Sequence, residues 1–153
     1  TLIGGQPRDC ERLRRQPGVA ALEAAGHVRF LPPMPRHELL TRLSGFDVGL
    51  SLIPPTTVYR EASPTKLTEY LGAGLAVLAS AGIPLQSEFL RRAGAGELVA
   101  FEPAAIAEGL ACLAQEPAAT HRQRREAGRA FAMQQLRYQN YSGGLSRWLD
   151  RPV

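Results

Sequence analysis

Nine residues, Glu61-Ala62-Ser63-Pro64-Thr65-Lys66-Leu67-Thr68-Glu69, carry the types most able to do chemistry. Two carboxylates bracket Lys66, the only lysine in a chain that otherwise uses seventeen arginines. Lysine offers a compact point charge where arginine offers a planar fork. Its single use here points to a positive charge wanted at one place. The segment also predicts a helix start, with Ser63 as N-cap and Pro64 as the first helical residue. The first turn of such a helix has free backbone N–H groups, here chiefly from Thr65 onward. It also carries about half a positive charge from the helix dipole. A lysine in that turn opposes the dipole, and the cost disappears when an anion sits between them. Each charge-assisted hydrogen bond to such an anion is worth about 1.5–3 kcal/mol.

Glu69 lies three residues past Lys66 and close to it on a helix surface. It can form a surface ion pair worth ~0.2–0.5 kcal/mol. It can also accept two hydrogen bonds from a vicinal diol, because an ionised carboxylate has only acceptor capacity. Dinucleotide-binding folds use an acidic residue on ribose in this way. Glu61, on the loop before the helix, is expected to face the same cleft. A plain capped core helix would explain Leu67 and Leu71 but not these charges.

The surrounding elements must place this segment. Short apolar runs at Thr1–Gly4, His27–Leu31, Asp47–Ile53, Ala76–Ser80 and Glu97–Phe101 read as strands. Helices are expected over Asp9–Arg15 (Asp9 as N-cap), Gly18–Ala25, Pro35–Ser44, Pro64–Gly74, Pro84–Ala93, Pro103–Gln115, His121–Leu136 and Ser142–Leu149. Strands alternating with helices predict an α/β fold: a Rossmann-like parallel sheet with helices on both faces. Ligands in such folds bind beyond the carboxyl ends of the strands, where residues 54–66 would lie. With no repeat and no low-complexity linker, residues 1–153 read as one domain.

Composition removes other classes. At 153 residues, 44% hydrophobic and 21% charged, the chain is that of a globular domain. Its longest apolar stretch, Leu71–Leu85, is broken by Gly72, Gly74, Gly82 and Pro84, so no membrane span is expected. The net charge of +4 comes from dispersed arginines without interleaved aromatics. That argues against nucleic acid and makes the runs Arg12–Arg15 and Arg122–Arg129 solvated helix faces. Cys10 and Cys112 form no disulfide framework, and His27, His37 and His121 lack metal-ligand spacing. A cytoplasmic protein is expected.

The stretch Ser63–Ser80, Ser-Pro-Thr-Lys-Leu-Thr-Glu-Tyr-Leu-Gly-Ala-Gly-Leu-Ala-Val-Leu-Ala-Ser, resembles the donor-site signature of GT-B glycosyltransferases of the family 4 (group 1) type. Glu61 and Glu69 match that family's E-x7-E spacing. Phe46-Asp47-Val48-Gly49-Leu50 is similar to its preceding strand, and the register holds from residue 1 to about 116. The resemblance implies the C-terminal, donor-binding half of a GT-B fold and retaining transfer from a UDP- or GDP-sugar. It implies Glu61 beside the transferred sugar as the catalytic glutamate, Glu69 on the ribose, and Ser63, Thr65 and Lys66 at the diphosphate. It implies the loop at Pro32–Met34, through the backbone of Pro33 and Met34, at the base. No metal and no cofactor are implied, since fixed positive charge stabilises the departing diphosphate.

The sequence also departs from the family. Many members read Glu-Gly-Phe-Gly where this chain has Glu-Ala-Ser-Pro, and Pro64 removes one N–H from the phosphate cradle. The family's basic residues on the first strand and loop would precede Thr1, so the first strand and helix are expected to be missing. Residues 117–153 resemble closing helices that reach towards an N-terminal acceptor domain. The acceptor is open; family analogy suggests a lipid-linked one at the inner face of a membrane. Two rivals share the fold: a nucleotide-sugar 2-epimerase, and a non-catalytic nucleotide-sugar-binding module. On this reading the isolated chain transfers sugar poorly or not at all.

Overall fold

The computed structural model describes residues 1–137, 139, 140 and 142. They form two compact units, Thr1–Thr41 and the remainder from Arg42. The expected terminal helix at 142–149, with Trp148, lies outside the described residues apart from Ser142.

The first unit holds two short parallel strands, β1 (Leu2–Ile3) and β2 (Phe30–Leu31), joined through helices α1 (Pro7–Arg14) and α2 (Val19–Ala24). None of its residues is fully buried. Its helices are tied by Arg14, whose Nε donates to Glu23 Oε2 at 2.9 Å and Nη2 to Glu23 Oε1 at 3.1 Å. The same guanidinium stacks 4.6 Å from the centre of the Phe30 ring. Asp9 does not cap α1. Pro7 takes the first helical position two residues earlier, and Asp9 stands in the first turn, where its charge still suits the dipole. Helix α3 (Arg36–Leu43) follows, and the division between units falls within it.

The second unit is built on three parallel strands in the order β3 (Val48–Ser51), β4 (Ala76–Ser80), β5 (Gly96–Val99). Helices α4 (Thr65–Ala73), α5 (Pro84–Ala93), α6 (Pro103–Gln115) and α7 (Ala118–Gln135) cover both faces, as the alternation of elements predicts. Central β4 is buried along its whole length. Its side chains alternate between faces. Val77 and Ala79 join Leu67 and Leu71 of α4, Leu90 and Ala93 of α5, and Phe131 and Ala132 of α7 in one core cluster. Each buried leucine there stabilises the unit by about 1.5–3 kcal/mol. On the opposite face Leu78 meets α6. A Cβ on Gly109 would fall 2.7 Å from Leu78 Cδ1 and 2.8 Å from Val99 Cγ1, so the backbone of α6 lies directly on the sheet.

Two arginines of α7 do not form the solvated face that the basic run suggests. Arg125 Nε donates to the Gly74 carbonyl at 2.6 Å, at the C-terminal end of α4, and Nη1 reaches Asp47 Oδ1 at 3.2 Å. A cation there satisfies a terminal carbonyl and the dipole together. Arg124 donates to Glu116 Oε1 and Glu97 Oε1, each at 2.6 Å, and to the Gly96 carbonyl at 3.2 Å. Both residues lock α7 onto its own unit. Cys10 and Cys112 are free thiols.

Candidate functional site

The carboxyl end of β3 and the start of α4 meet as expected. Between them lies a small cleft of about 150 Å³, lined by Ser51, Leu52 and Ile53 from the strand end and by Ser63, Pro64, Thr65 and Lys66 from the helix start. Three of the predicted ligand-binding residues, Ser63, Thr65 and Lys66, therefore share one cavity. All three are exposed, while Pro64 is buried and anchors the turn.

The local backbone differs from the expected cap. Pro64 has φ −81° and ψ 78°, so α4 begins at Thr65, and Ser63 makes no side-chain capping bond. These angles are those of an inverse γ-turn. Its hydrogen bond runs from the Thr65 N–H to the Ser63 carbonyl at 2.9 Å. The N–H of Thr65 is thus spent within the turn. The Thr65 carbonyl accepts from the Thr68 hydroxyl at 2.8 Å. The first-turn N–H groups of Lys66 and Leu67 are the ones a helix start leaves without an intrahelical acceptor. The cradle is narrower than the sequence suggested: two amides, the Lys66 ammonium, and the hydroxyls of Ser63 and Thr65.

A buried polar network, invisible in the sequence, fixes the floor of this cleft. Ser51 Oγ donates to Gln86 Oε1 at 2.6 Å, and Gln86 Nε2 donates to the Ser80 carbonyl at 2.8 Å. Ser80 Oγ accepts from the Ile53 N–H at 2.9 Å and donates to the Ile53 carbonyl at 2.6 Å. The ladder between β3 and β4 ends at Ser51 and Ala79. Just beyond it, one hydroxyl serves both backbone groups of Ile53. The strands can then part without leaving buried polar groups unpaired, a defect that costs about 1–3 kcal/mol each. The parting opens the cleft.

Helix α4 is held on β3 by a glycine. A Cβ on Gly49 would lie 2.5 Å from the Tyr70 ring, so only glycine lets the ring sit flat on the strand. Burial pushes the Tyr70 phenol up from its ordinary value, and the neighbouring Glu69 charge adds to the rise. Glu69 itself stands half-buried on the second turn of α4. Glu61 is exposed on the turn that follows a 3₁₀ segment at Thr57–Tyr59. Neither glutamate lines the small cleft. In the first unit, Pro33 is exposed and Met34 half-buried on the loop after β2. Among the described residues, no three His, Cys, Asp or Glu side chains gather to hold a metal ion. Nor is any helix among them long and apolar enough to cross a membrane.

Residues 2–131 match the family model described as glycosyl transferases group 1. The chain belongs to that family. Solved structures agree on the fold of this group 1 domain. Sucrose-phosphate synthase from Thermosynechococcus elongatus superposes with a TM-score of 0.74 at 24% identity, covering 97% of this chain and 37% of that one. WaaG, described as a glycosyltransferase involved in lipopolysaccharide biosynthesis, gives 0.64 at 24% identity, covering 88% and 33%. The group 1 chain thus spans about a third of each of these proteins. No curated protein matches it.

Proposed function

We propose that this chain is the donor-binding half of a retaining glycosyltransferase that uses a nucleotide diphosphate sugar. The observation that carries the reading is the cleft at the end of β3, where Ser63, Thr65 and Lys66 meet the first turn of a nine-residue helix. A diphosphate there accepts hydrogen bonds from the Lys66 and Leu67 amides and pairs with the Lys66 ammonium. As the bond from sugar to phosphate breaks, negative charge grows on the diphosphate, and this fixed positive array stabilises it more than it stabilises the intact donor. Glu69 takes the ribose hydroxyls and Glu61 lies by the transferred sugar. The backbone of Pro33 and Met34 meets the base. These three roles rest on the family resemblance. The acceptor, for which a lipid-linked sugar is the family analogy, would be held by an N-terminal domain. The reaction needs no metal and runs on the cytoplasmic side of a membrane.

Calorimetric titration of the chain with UDP and GDP, with a chelator present, tests this. Lys66→Ala should weaken the preferred nucleotide about tenfold to a hundredfold, the loss of one charge-assisted contact. Glu69→Ala should abolish binding. Unchanged affinity in Lys66→Ala would remove the diphosphate role, and unchanged affinity in Glu69→Ala would remove the ribose role.

A further inference from the structure

A second, larger cleft of about 810 Å³ has no part in the reading above and shares no lining residue with the small one. One wall is a stripe along α5, in which Ser87, Glu88, Arg91 and Arg92 follow helical spacing and face the same way. The other wall is the loop after β3, including Thr57 and Arg60. Glu88 is neutralised by Arg92, whose Nη1 donates to it at 2.9 Å. Arg92 also stacks 5.3 Å from the Phe131 ring, which makes it part of the scaffold. Arg60 and Arg91 remain. Neither guanidinium has a hydrogen-bond or ion-pair partner among the described residues, and both residues are exposed.

Ser87 adds a hydroxyl to the same wall. It is only 6% exposed, it lines the cleft, and its hydroxyl has no hydrogen-bond partner among the described residues. The oxygen is not among the sealed, unpaired polar atoms, so it opens onto the cleft. Two guanidinium groups without ion-pair partners, the solvent-open Ser87 hydroxyl and Thr57 line one concavity. Its volume falls in the range of small-molecule sites, roughly 300–1,000 Å³. Guanidinium forks and hydroxyl donors together match the oxygens of a phosphate group. In the other arginine-lined cleft, beside Gly74, Arg125 is committed to the Gly74 carbonyl and Glu126 brings a carboxylate into the lining.

We infer that the cleft between α5 and the loop after β3 is a second anion site, taking a phosphate monoester or diphosphate on Arg60, Arg91 and Ser87. The group could belong to a soluble phosphorylated molecule or to a phospholipid headgroup. The inference does not depend on the donor reading, and its test uses a background in which the donor cradle is disabled. Pyrophosphate is titrated by calorimetry into the full chain carrying Lys66→Ala, at low ionic strength. Binding should persist there, and adding Arg60→Ala and Arg91→Ala should weaken it at least tenfold. Ser87→Ala alone should produce a smaller loss. Arg29→Ala, removing an exposed arginine of the first unit, should leave affinity unchanged. Both cleft arginines are exposed, so melting temperatures should stay level across the set. Sedimentation with phosphatidylcholine vesicles, with and without phosphatidic acid, separates the two sources. Arginine-dependent pull-down only with phosphatidic acid assigns a headgroup, and pyrophosphate binding without pull-down assigns a soluble ligand. No pyrophosphate binding in the Lys66→Ala protein, or equal binding after loss of both arginines, would overturn the site.

Discussion

Tyr70 shows at single-residue scale how the site and the fold share parts. Its ring lies on Gly49 and fixes α4 to β3, while its phenol stands near Glu69. Burial first, and the Glu69 charge second, raise its pKa in the folded protein above the ordinary value of 10.0. The sign of the linkage follows. Below that value the phenol is neutral in both states and costs nothing. Above it the unfolded chain releases the proton first, so the unfolded state gains and stability falls as pH rises towards the folded pKa. Denaturant melts between about pH 9 and 12 should show this loss in the native sequence. Tyr70→Phe should lose less over the same window, the difference being the part due to this phenol. Parallel curves for the two proteins would show that the phenol is as free in the folded state as in the unfolded. Lys66 illustrates what one residue type can reveal. Its rarity singles out the segment, and the cavity gathers it with Ser63 and Thr65. The spent N–H of Thr65 was not legible, because it depends on the ψ angle of Pro64, which no residue list specifies.

At the scale of elements, glycines decide how closely helices approach. Gly72 lies inside α4, and a Cβ added to it would meet nothing within 4 Å. A Cβ on Gly128 of α7, by contrast, would sit 2.8 Å from Ala95 Cβ and 3.0 Å from Leu71 Cδ2. Gly72→Ala should therefore stabilise by about 0.5–1 kcal/mol, through helix propensity alone. Gly128→Ala should destabilise by about 1–3 kcal/mol, because α7 must back away from α4 and from Ala95, just ahead of β5. Chemical denaturation of the two variants checks both signs, and a gain at Gly128 would mean that α7 is not packed as described. The bounds of β4, α5 and α6 were legible to the residue. Proline opens both helices, glycine closes α5, and β4 is an apolar run closed by Ser80. The start of α7 was placed three residues late, because Ala118 and Ala119 carry helix propensity but no cap signal. The Ser51–Gln86–Ser80 network and the Arg60–Arg91 cleft join residues distant in sequence, so no local pattern announces them.

For the whole molecule, the contrast between the units sets the expected order of opening. All of the core cluster belongs to the second unit, and no residue of the first is fully buried. Segments of about 40 residues seldom hold a core of their own. Amide hydrogen exchange should place β4 at the global unfolding free energy and β1 and β2 several kcal/mol below it. Equal protection in both would mean that the first unit opens only with the second. The alternation of strands and helices made the α/β class readable from the sequence. The division near residue 41 was not readable, because it reflects how sparsely residues 1–41 bury their side chains.

The solitary lysine in the first turn of α4 has a practical corollary. Besides its amino terminus, this 153-residue chain offers an acylating reagent one amine, and that amine lines the small cleft. Covalent labelling there reads out occupancy of a single cavity against a silent background of arginines. A lysine-specific protease likewise has one peptide bond to cut, between Lys66 and Leu67, and Leu67 is wholly enclosed in the core. Cleavage therefore times the fraying of one helix end.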